Sequence, residues 1–567
     1  MMSQEMKLPM KINDSSMVII DAMKCADRLV AKSIDSALLS YQEEKFEEVL
    51  NWISFAATLA WDSRPGCFSD DRLEGLLAKL GREVKEREPQ QIETNSFVRD
   101  SADRKNILHI MTTTYPLGGH TRAVERWIEN DADSSSGKSH YVIVTQQCGK
   151  EIPKWLERAV RSTGGECIIL HSRLSQMEKA EGLRAIASKL ADTIILHIHP
   201  NDPIPIIALS TMNRDIPILF FNHADHVFSI GMSIADVILD FRKSGQRISY
   251  SERNCSAVKM LLPIPLTDPL KRVRFNSIED RHRLREKACK ELEIPSQMRI
   301  ALTIGGEYKY EPALDLDFLQ SVRMILKKNT STIICAIGLP NSGRWGRFSS
   351  DNERFRPLGN VSDDLLLKYL LASDIYLEGF PFSSLTAMLE AGICMLPIQR
   401  FCNEKAPILS GDDVSLDAIV TPAKSMTEYV DGALQLLSFS KAELTDIGWR
   451  IRSNILRDHC GVSWVNNYLN PAISVALNRP KGGERQGERY PWIDPLEKQC
   501  LFRIKWENNL PADFLIESVV QSPNLPRKMR LRLLSNAMAR LEPLYSINAS
   551  KNFLLALLKL SELNIHV

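Results

Sequence analysis

The segment 374-DIYLEGFPFSSLTAMLEAG-392 holds the densest set of residues able to do chemistry in this 567-residue chain. A short apolar strand breaks at Gly379 and Pro381, and Ser383, Ser384 and Thr386 then open an Ala/Leu/Met-rich helix. A helix that starts this way presents backbone N–H groups and hydroxyls at its positive end, which suits a diphosphate. Glu390 follows about one and a half turns further in, where a carboxylate can reach a ribose edge. An ordinary strand–loop–helix unit has the same order of residues.

A second group lies at 115-YPLGGHTRAVERWI-128. Gly118 and Gly119 permit close backbone approach, and a helix is expected from about Thr121. His120 then stands at the mouth of a strand–helix turn. A histidine there can act as a general base for a hydroxyl, because its ordinary pKa lies near working pH. It can equally hold phosphates, or make a purely structural bond. After a later apolar run come Asn222, His223, Asp225 and His226 within 221-FNHADHVFSIGMSIADVILDFRKSG-245. Two histidines and an aspartate could begin a metal site, but no further ligand cluster completes one, so no metal is expected. His223 and Asp225 serve instead as alternative bases. HIHPNDP, 197–203, also ends a strand, at the edge where α/β proteins bind ligands. In 302-LTIGGEYKYEP-312, Gly305 and Gly306 precede Lys309, a cation able to meet a phosphate.

The elements that must position these groups follow from hydrophobic patterning. Residues 17–85 read as helices, with Phe46, Val49, Leu50, Ile53 and Ala57 at helical spacing. Residues 86–105 are polar and unpatterned. Apolar strands are expected at 107–111, 141–145, 167–170, 193–198, 217–220 and 237–239, with helices between them. Beyond the basic stretch 271–295 a second alternation places strands at 299–304, 332–337, 374–377 and 417–420. Short apolar strands separated by helices indicate parallel sheets covered on both faces. The expected organisation is a helical N-terminal domain (1–90), a linker (91–105), two Rossmann-like doubly wound lobes (106–270 and 271–478) and a helical C-terminal extension (479–567), with the interlobe cleft as the site.

Composition narrows the function. Hydrophobic residues make up 44% and charged residues 25%, as in an ordinary globular protein. Lys plus Arg is 71 against 70 for Asp plus Glu, which gives no field to attract nucleic acid or an anionic membrane. The eleven cysteines form no C-x-x-C pair, and Cys335 and Cys394 sit in apolar runs, as expected in a reducing compartment. No secretory leader and no membrane-spanning run is expected, which points to the cytoplasm.

These motifs resemble those of glycosyltransferases with the two-lobed GT-B fold. GGHTR resembles the glycine-rich loop of the N-terminal lobe, and NHADH a loop of a bacterial glycosyltransferase group. Lys309 stands where such families place the cation that meets the donor diphosphate. The stretch 357-PLGNVSDDLLLKYLLASD-374 resembles the base-binding segment. There the backbone around Val361 would read a uracil edge, and Asp363 would cap the next helix. Glu378 and Glu390 stand further apart than the paired glutamates of retaining members. FPFSSLTAMLEA is closer to the corresponding segment of the O-GlcNAc transferase and bacterial N-glucosyltransferase group, which is inverting.

The resemblance implies a hexosyltransferase that moves a sugar from a nucleotide-sugar co-substrate, a UDP-sugar by preference, to a protein or glycan. It implies no other cofactor and no metal. His120, His223 and Asp225 are the candidate catalytic groups. Gly118, Gly119, Gly306, Lys309, Val361, Ser383, Ser384, Thr386 and Glu390 are the candidate donor-binding groups. Homo-oligomerisation stays open. The competing readings are a nucleotide-sugar 2-epimerase and a non-catalytic GT-B-like partner subunit.

Overall fold

The computed structural model describes residues 14–63, 66–86, 105–116, 118–134, 137–147, 151–212, 215–253, 255–275, 277–404 and 406–479. The expected linker up to residue 104 and the expected C-terminal extension beyond Arg479 lie outside them.

The chain begins with three helices, α1 (Asp14–Gln42), α2 (Phe46–Ser63) and α3 (Asp71–Glu86). On α3 the buried residues Leu73, Leu76, Leu77, Leu80 and Val84 recur at helical spacing and make one apolar stripe. That stripe shares a continuous core with Trp52 and Phe55 of α2 and with Leu183 and Ile207, which cover one face of the first sheet.

The first lobe alternates β1 (Asn106–Met111), α4 (Gly119–Asp133), β2 (Ser139–Val144), α5 (Lys154–Ser162), β3 (Cys167–Ile169), α6 (Gln176–Leu190), β4 (Thr193–His197), α7 (Ile204–Leu209), β5 (Ile218–Phe221), β6 (Val237–Asp240), α8 (Lys243–Ser251) and β7 (Val258–Leu261). Its seven strands lie in the order β3-β2-β1-β4-β5-β6-β7, all parallel. Every residue of β1, β2, β4, β5 and β6 is buried, because helices cover both faces and no position is left for a solvated side chain.

The second lobe runs through α9 (Ile278–Glu291), β8 (Arg299–Ile304), α10 (Phe318–Lys328), β9 (Thr332–Ile337), α11 (Gly343–Asp351), β10 (Phe355–Gly359), α12 (Asp363–Ala372), β11 (Ile375–Leu377), α13 (Leu385–Ile393), β12 (Ile398–Gln399), α14 (Met426–Ser438) and α15 (Lys441–His459). Its strands are parallel in the order β10-β9-β8-β11-β12. The strand expected at 417–420 is a turn: the N–H of Asp417 bonds the carbonyl of Asp413, and those of Ile419 and Val420 bond that of Leu416, so the ladder donors are spent locally. β12 forms that edge of the sheet instead.

The described chain ends by crossing back. α16 (Gly461–Trp464), a π-helical stretch (Val465–Leu469) and α17 (Asn470–Leu477) bury Trp464, Val465, Leu469 and Ala472 against Trp127, Phe221 and Leu239 of the first lobe. Among the described residues no helix is long and apolar enough to cross a membrane.

Candidate active site in the interlobe cleft

Both sheets point the carboxyl ends of their strands at one cleft. On the first-lobe side, Gly118 has φ 108°, a conformation that favours glycine, and it lets α4 start immediately after the turn. That start brings the second lobe close: a Cβ placed on Gly119 would come within 4.0 Å of Thr386 Oγ1. His120, in the first turn of α4, has Nε2 2.8 Å from the carbonyl oxygen of His197. A carbonyl can only accept, so Nε2 carries the proton and Nδ1 bears a lone pair. Nδ1 is buried and has no hydrogen-bond partner among the described residues. The ring of His223 lies 4.1 Å away, centroid to centroid, and its Nδ1 is also buried and unpartnered. Burial, with His199 nearby, lowers the His120 pKa to about 3, and burial holds His223 well below its ordinary value. The sequence places the His120 pKa near working pH. In the structure the ring is a neutral acceptor throughout that range.

Asp225 occupies a different role. Burial works to raise its pKa, but Arg242 overrides this and holds the carboxyl at about 2. Arg242 Nε and Nη2 meet the two Asp225 oxygens at 2.7 and 2.8 Å. Both Asp225 oxygens are taken by the guanidinium, so this carboxylate is committed to Arg242 rather than to a substrate. The third arm, Nη1, crosses the cleft to the Ser410 carbonyl at 2.7 Å, and Ser244 N bonds Asp412 Oδ2 at 2.9 Å. The Asp225–Arg242 pair therefore fastens the two lobes together. The segment 197–203 divides: the His197 side chain enters the sheet core, His199 stacks near Tyr115, and Asp202 is buried accepting from Thr112 and Thr145.

On the second-lobe side, β8 ends at Gly305 and Gly306. Gly305 is the position that demands glycine, because a Cβ there would lie 2.6 Å from Ser384 Oγ and 2.9 Å from the Tyr310 hydroxyl. At Gly306 the nearest neighbour of a Cβ would be the exposed Tyr308 ring, at 3.1 Å. Lys309 donates to the Ser383 carbonyl at 2.9 Å and lies 4.8 Å above the Phe382 ring. Its pKa is lowered to about 8, first by desolvation and then by Arg242. Phe382 in turn packs against His226, with ring centroids 5.1 Å apart, and so links the two walls.

The hydroxyls at the start of α13 are not equivalent. The Ser383 hydroxyl is taken by Glu378, a buried carboxylate that also accepts the Phe401 N–H at 2.9 Å. Ser384 is the N-cap residue and makes no side-chain capping bond, so the first turn of α13 faces the cleft without a side-chain acceptor of its own. Glu390 is ion-paired with Arg126 of α4. Val361 packs half-buried on the second-lobe core. The cap of α12 is Ser362, whose side chain accepts from Leu365 N at 3.4 Å. Asp363, expected as the cap, begins the helix instead and pairs with Arg122 of α4 at 3.3 Å.

The structure thus gathers Gly118, Gly119, His120, His223, Gly306, Lys309, Ser384 and Thr386 around one cleft. It gives Asp225 and Ser383 internal partners and Glu390 a partner across the lobes. Sequence reasoning missed Arg122 and Arg126, which reach the second lobe from α4. Their spacing of four residues on one helix face was the available signal.

Two parallel doubly wound sheets facing one cleft, with terminal helices returning to the first lobe, define the architecture. The chain has the GT-B fold. No family model matches the chain, and no curated protein matches it. Among solved structures it is similar to a mutant O-GlcNAc transferase of Thermobaculum terrenum, at 14% identity and a TM-score of 0.47 over 79% of this chain and 81% of that one. It is similar to a glycosyltransferase of Rickettsia africae, at 12% and 0.49 over 66% and 100%. Anabaena HepE in complex with UDP-glucose gives 11% and 0.45 over 65% and 99%. Likeness at this level says nothing about substrate or chemistry.

Proposed function

We propose that this chain is a glycosyltransferase that moves a sugar from a nucleotide-sugar donor, a UDP-sugar by preference, to a hydroxyl or amide of a protein or glycan. We propose further that it inverts the anomeric centre and uses no metal ion. One observation carries the reading. A neutral imidazole, His120, stands on one wall of a cleft with its Nδ1 buried and unpartnered among the described residues, so that an entering acceptor must uncover it. The opposite wall offers the uncapped start of α13 and an ammonium, Lys309, bonded to a carbonyl rather than to a carboxylate. The first can take a proton, and the second can neutralise a departing diphosphate.

In the step this arrangement supports, the acceptor's proton passes to His120 Nδ1 as its heteroatom attacks the anomeric carbon. The bond from that carbon to the diphosphate oxygen breaks, and the electron pair leaves on UDP beside Lys309 and the first-turn N–H groups of α13. His223, 4.1 Å from His120, would share contact with the acceptor or donor sugar. The diphosphate would sit against Ser384 and Thr386, the ribose near Glu390 and the base against the backbone at Val361. Gly118, Gly119 and Gly306 would leave room for it.

Calorimetric titration with UDP, followed by incubation of the protein with labelled UDP-sugars and a host lysate, tests this. Transfer of label to a macromolecule supports the reading. Donor converted to its epimer without transfer indicates the epimerase, and absence of UDP binding indicates a non-catalytic partner.

A further inference from the structure

Beneath the cleft, His109, His140 and His197 join hands across three neighbouring strands. They lie on β1, β2 and β4, adjacent in the order β2-β1-β4, and all three side chains are fully buried. His109 Nε2 is 2.9 Å from His140 Nδ1, and His109 Nδ1 is 3.0 Å from His197 Nε2. At the outer end, His140 Nε2 lies 3.1 Å from Asp131 Oδ2, an ion-pair contact that falls outside hydrogen-bond geometry, and Lys138 holds both Asp131 oxygens. At the inner end, His197 Nδ1 is buried without a partner among the described residues. The Trp127 ring stands edge-on to both His109 and His197, at 5.9 and 5.4 Å.

Chemistry gives this chain a direction. A carboxylate only accepts, and a lone pair held 3.1 Å from it would be repelled, so His140 presents Nε2–H to Asp131. Run on from that end, the chain has His140 Nδ1 accepting from His109 Nε2–H and His109 Nδ1 accepting from His197 Nε2–H. The same helix closes the circuit. Asp131 is in the last turn of α4 and His120 in its first, and His120 Nε2 donates to the carbonyl of that same His197. α4 is therefore tied to His197 at both ends, once through a backbone carbonyl and once through three imidazoles.

We propose that Asp131, His140, His109 and His197 form a polarised imidazole chain that positions His120, fixing the carbonyl that keeps its Nε2 protonated and its Nδ1 bare. This rests on His120 acting as the base. Asp131, His140 and His109 are positioning residues, since none of them touches the reacting groups.

Histidine-selective 15N NMR tests the chain directly, because the two neutral tautomers have different ring-nitrogen shifts. The wild-type protein should show His109 and His197 as Nε2–H tautomers at neutral pH, and Nδ1–H at either would overturn the proposal. In Asp131→Asn the amide can donate as well as accept, so an Nδ1–H form of His197 should appear. Transfer should fall about tenfold or more, the scale for partners that orient a functional histidine, with UDP affinity unchanged. His109→Gln, which breaks the chain midway, should lose rate in the same way. A folded variant with a normal transfer rate would overturn the positioning role, and the wild-type spectrum decides if neither variant folds. If the wild-type protein itself transfers no sugar, the functional reading fails, whereas the spectrum still judges the chain.

Discussion

The guanidinium of Arg126, on α4 of the first lobe, is ion-paired with the carboxylate of Glu390, on α13 of the second. This pair spans the cleft where a nucleotide's ribose would lie, so a ribose that uses Glu390 must share it with Arg126 or displace the guanidinium. Partly exposed ion pairs contribute little stability, up to about 1 kcal/mol, so displacement is affordable. Glu390→Ala should weaken UDP binding by roughly 1.5 to 3 kcal/mol, the range for hydrogen bonds to a charged group, and Glu390→Gln by less. Arg126→Ala should leave UDP affinity the same or tighter. Calorimetry in which Arg126→Ala weakens UDP as much as Glu390→Ala would make the pair a structural strut rather than a shared ribose contact.

Lys309 is the cation placed at the start of α13. Lys309→Ala should also weaken UDP by roughly 1.5 to 3 kcal/mol, because a charge-assisted contact to phosphate is lost. Uridine, which has no phosphate, should bind the variant and the wild-type protein alike. Unchanged UDP affinity in the variant would place the diphosphate elsewhere.

Buried histidines give the fold its own acid sensitivity. Burial lowers the pKa of His109, His120, His197, His199 and His223. His120 stays neutral in the folded state to about pH 3, and His109, His197 and His223 to well below their ordinary range, while the unfolded chain takes up a proton on each near pH 6.5. More protons bound in the unfolded state means that stability is full above about pH 6.5 and falls as the pH drops below it. The loss is on the order of 1 kcal/mol per pH unit for each such histidine. Urea denaturation between pH 7.5 and about pH 5 should show the midpoint falling well before carboxylates titrate. A midpoint flat down to about pH 5 would contradict the buried neutral rings.

Gly305→Ala should be costly, since the added Cβ meets Ser384 Oγ at 2.6 Å and the Tyr310 hydroxyl at 2.9 Å. Overpacking of this kind costs about 1 to 3 kcal/mol, and pushing Ser384 away should weaken UDP as well. Gly306→Ala, beside the exposed ring of Tyr308, should cost less. Thermal melts of the two variants check the order.

The alternation of strands and helices was legible because buried parallel strands make nearly continuous apolar runs, as in Ile107–Met111 and Thr332–Ile337. β10 was hidden by Arg356 and Pro357, and β7 by Lys259, on strands that are only partly covered. The apolar run at 417–420 misled because neighbouring carbonyls claim its N–H groups. In the site, GGH, Lys309 and the serine-rich helix start could be read because each follows a strand end. The pKa of His120 could not, since burial is a property of the assembled cleft. Nor could the histidine chain or the Arg126–Glu390 pair. His109 and His197 are 88 positions apart, and Arg126 and Glu390 are 264 apart, and only the strand order and the facing of the lobes bring them together.

The most direct test of the central claim is the rate of sugar transfer from a labelled UDP-sugar by wild-type protein and by His120→Ala, with UDP affinity measured on the same samples. Transfer by the wild-type protein should not decline on acidification through pH 6.5 on His120's account, because burial keeps that ring neutral to about pH 3. His120→Ala should bind UDP normally and lose transfer by about two to four orders of magnitude, the usual contribution of a positioned base. A variant that transfers sugar at a near-normal rate, or that loses UDP affinity together with rate, would contradict it.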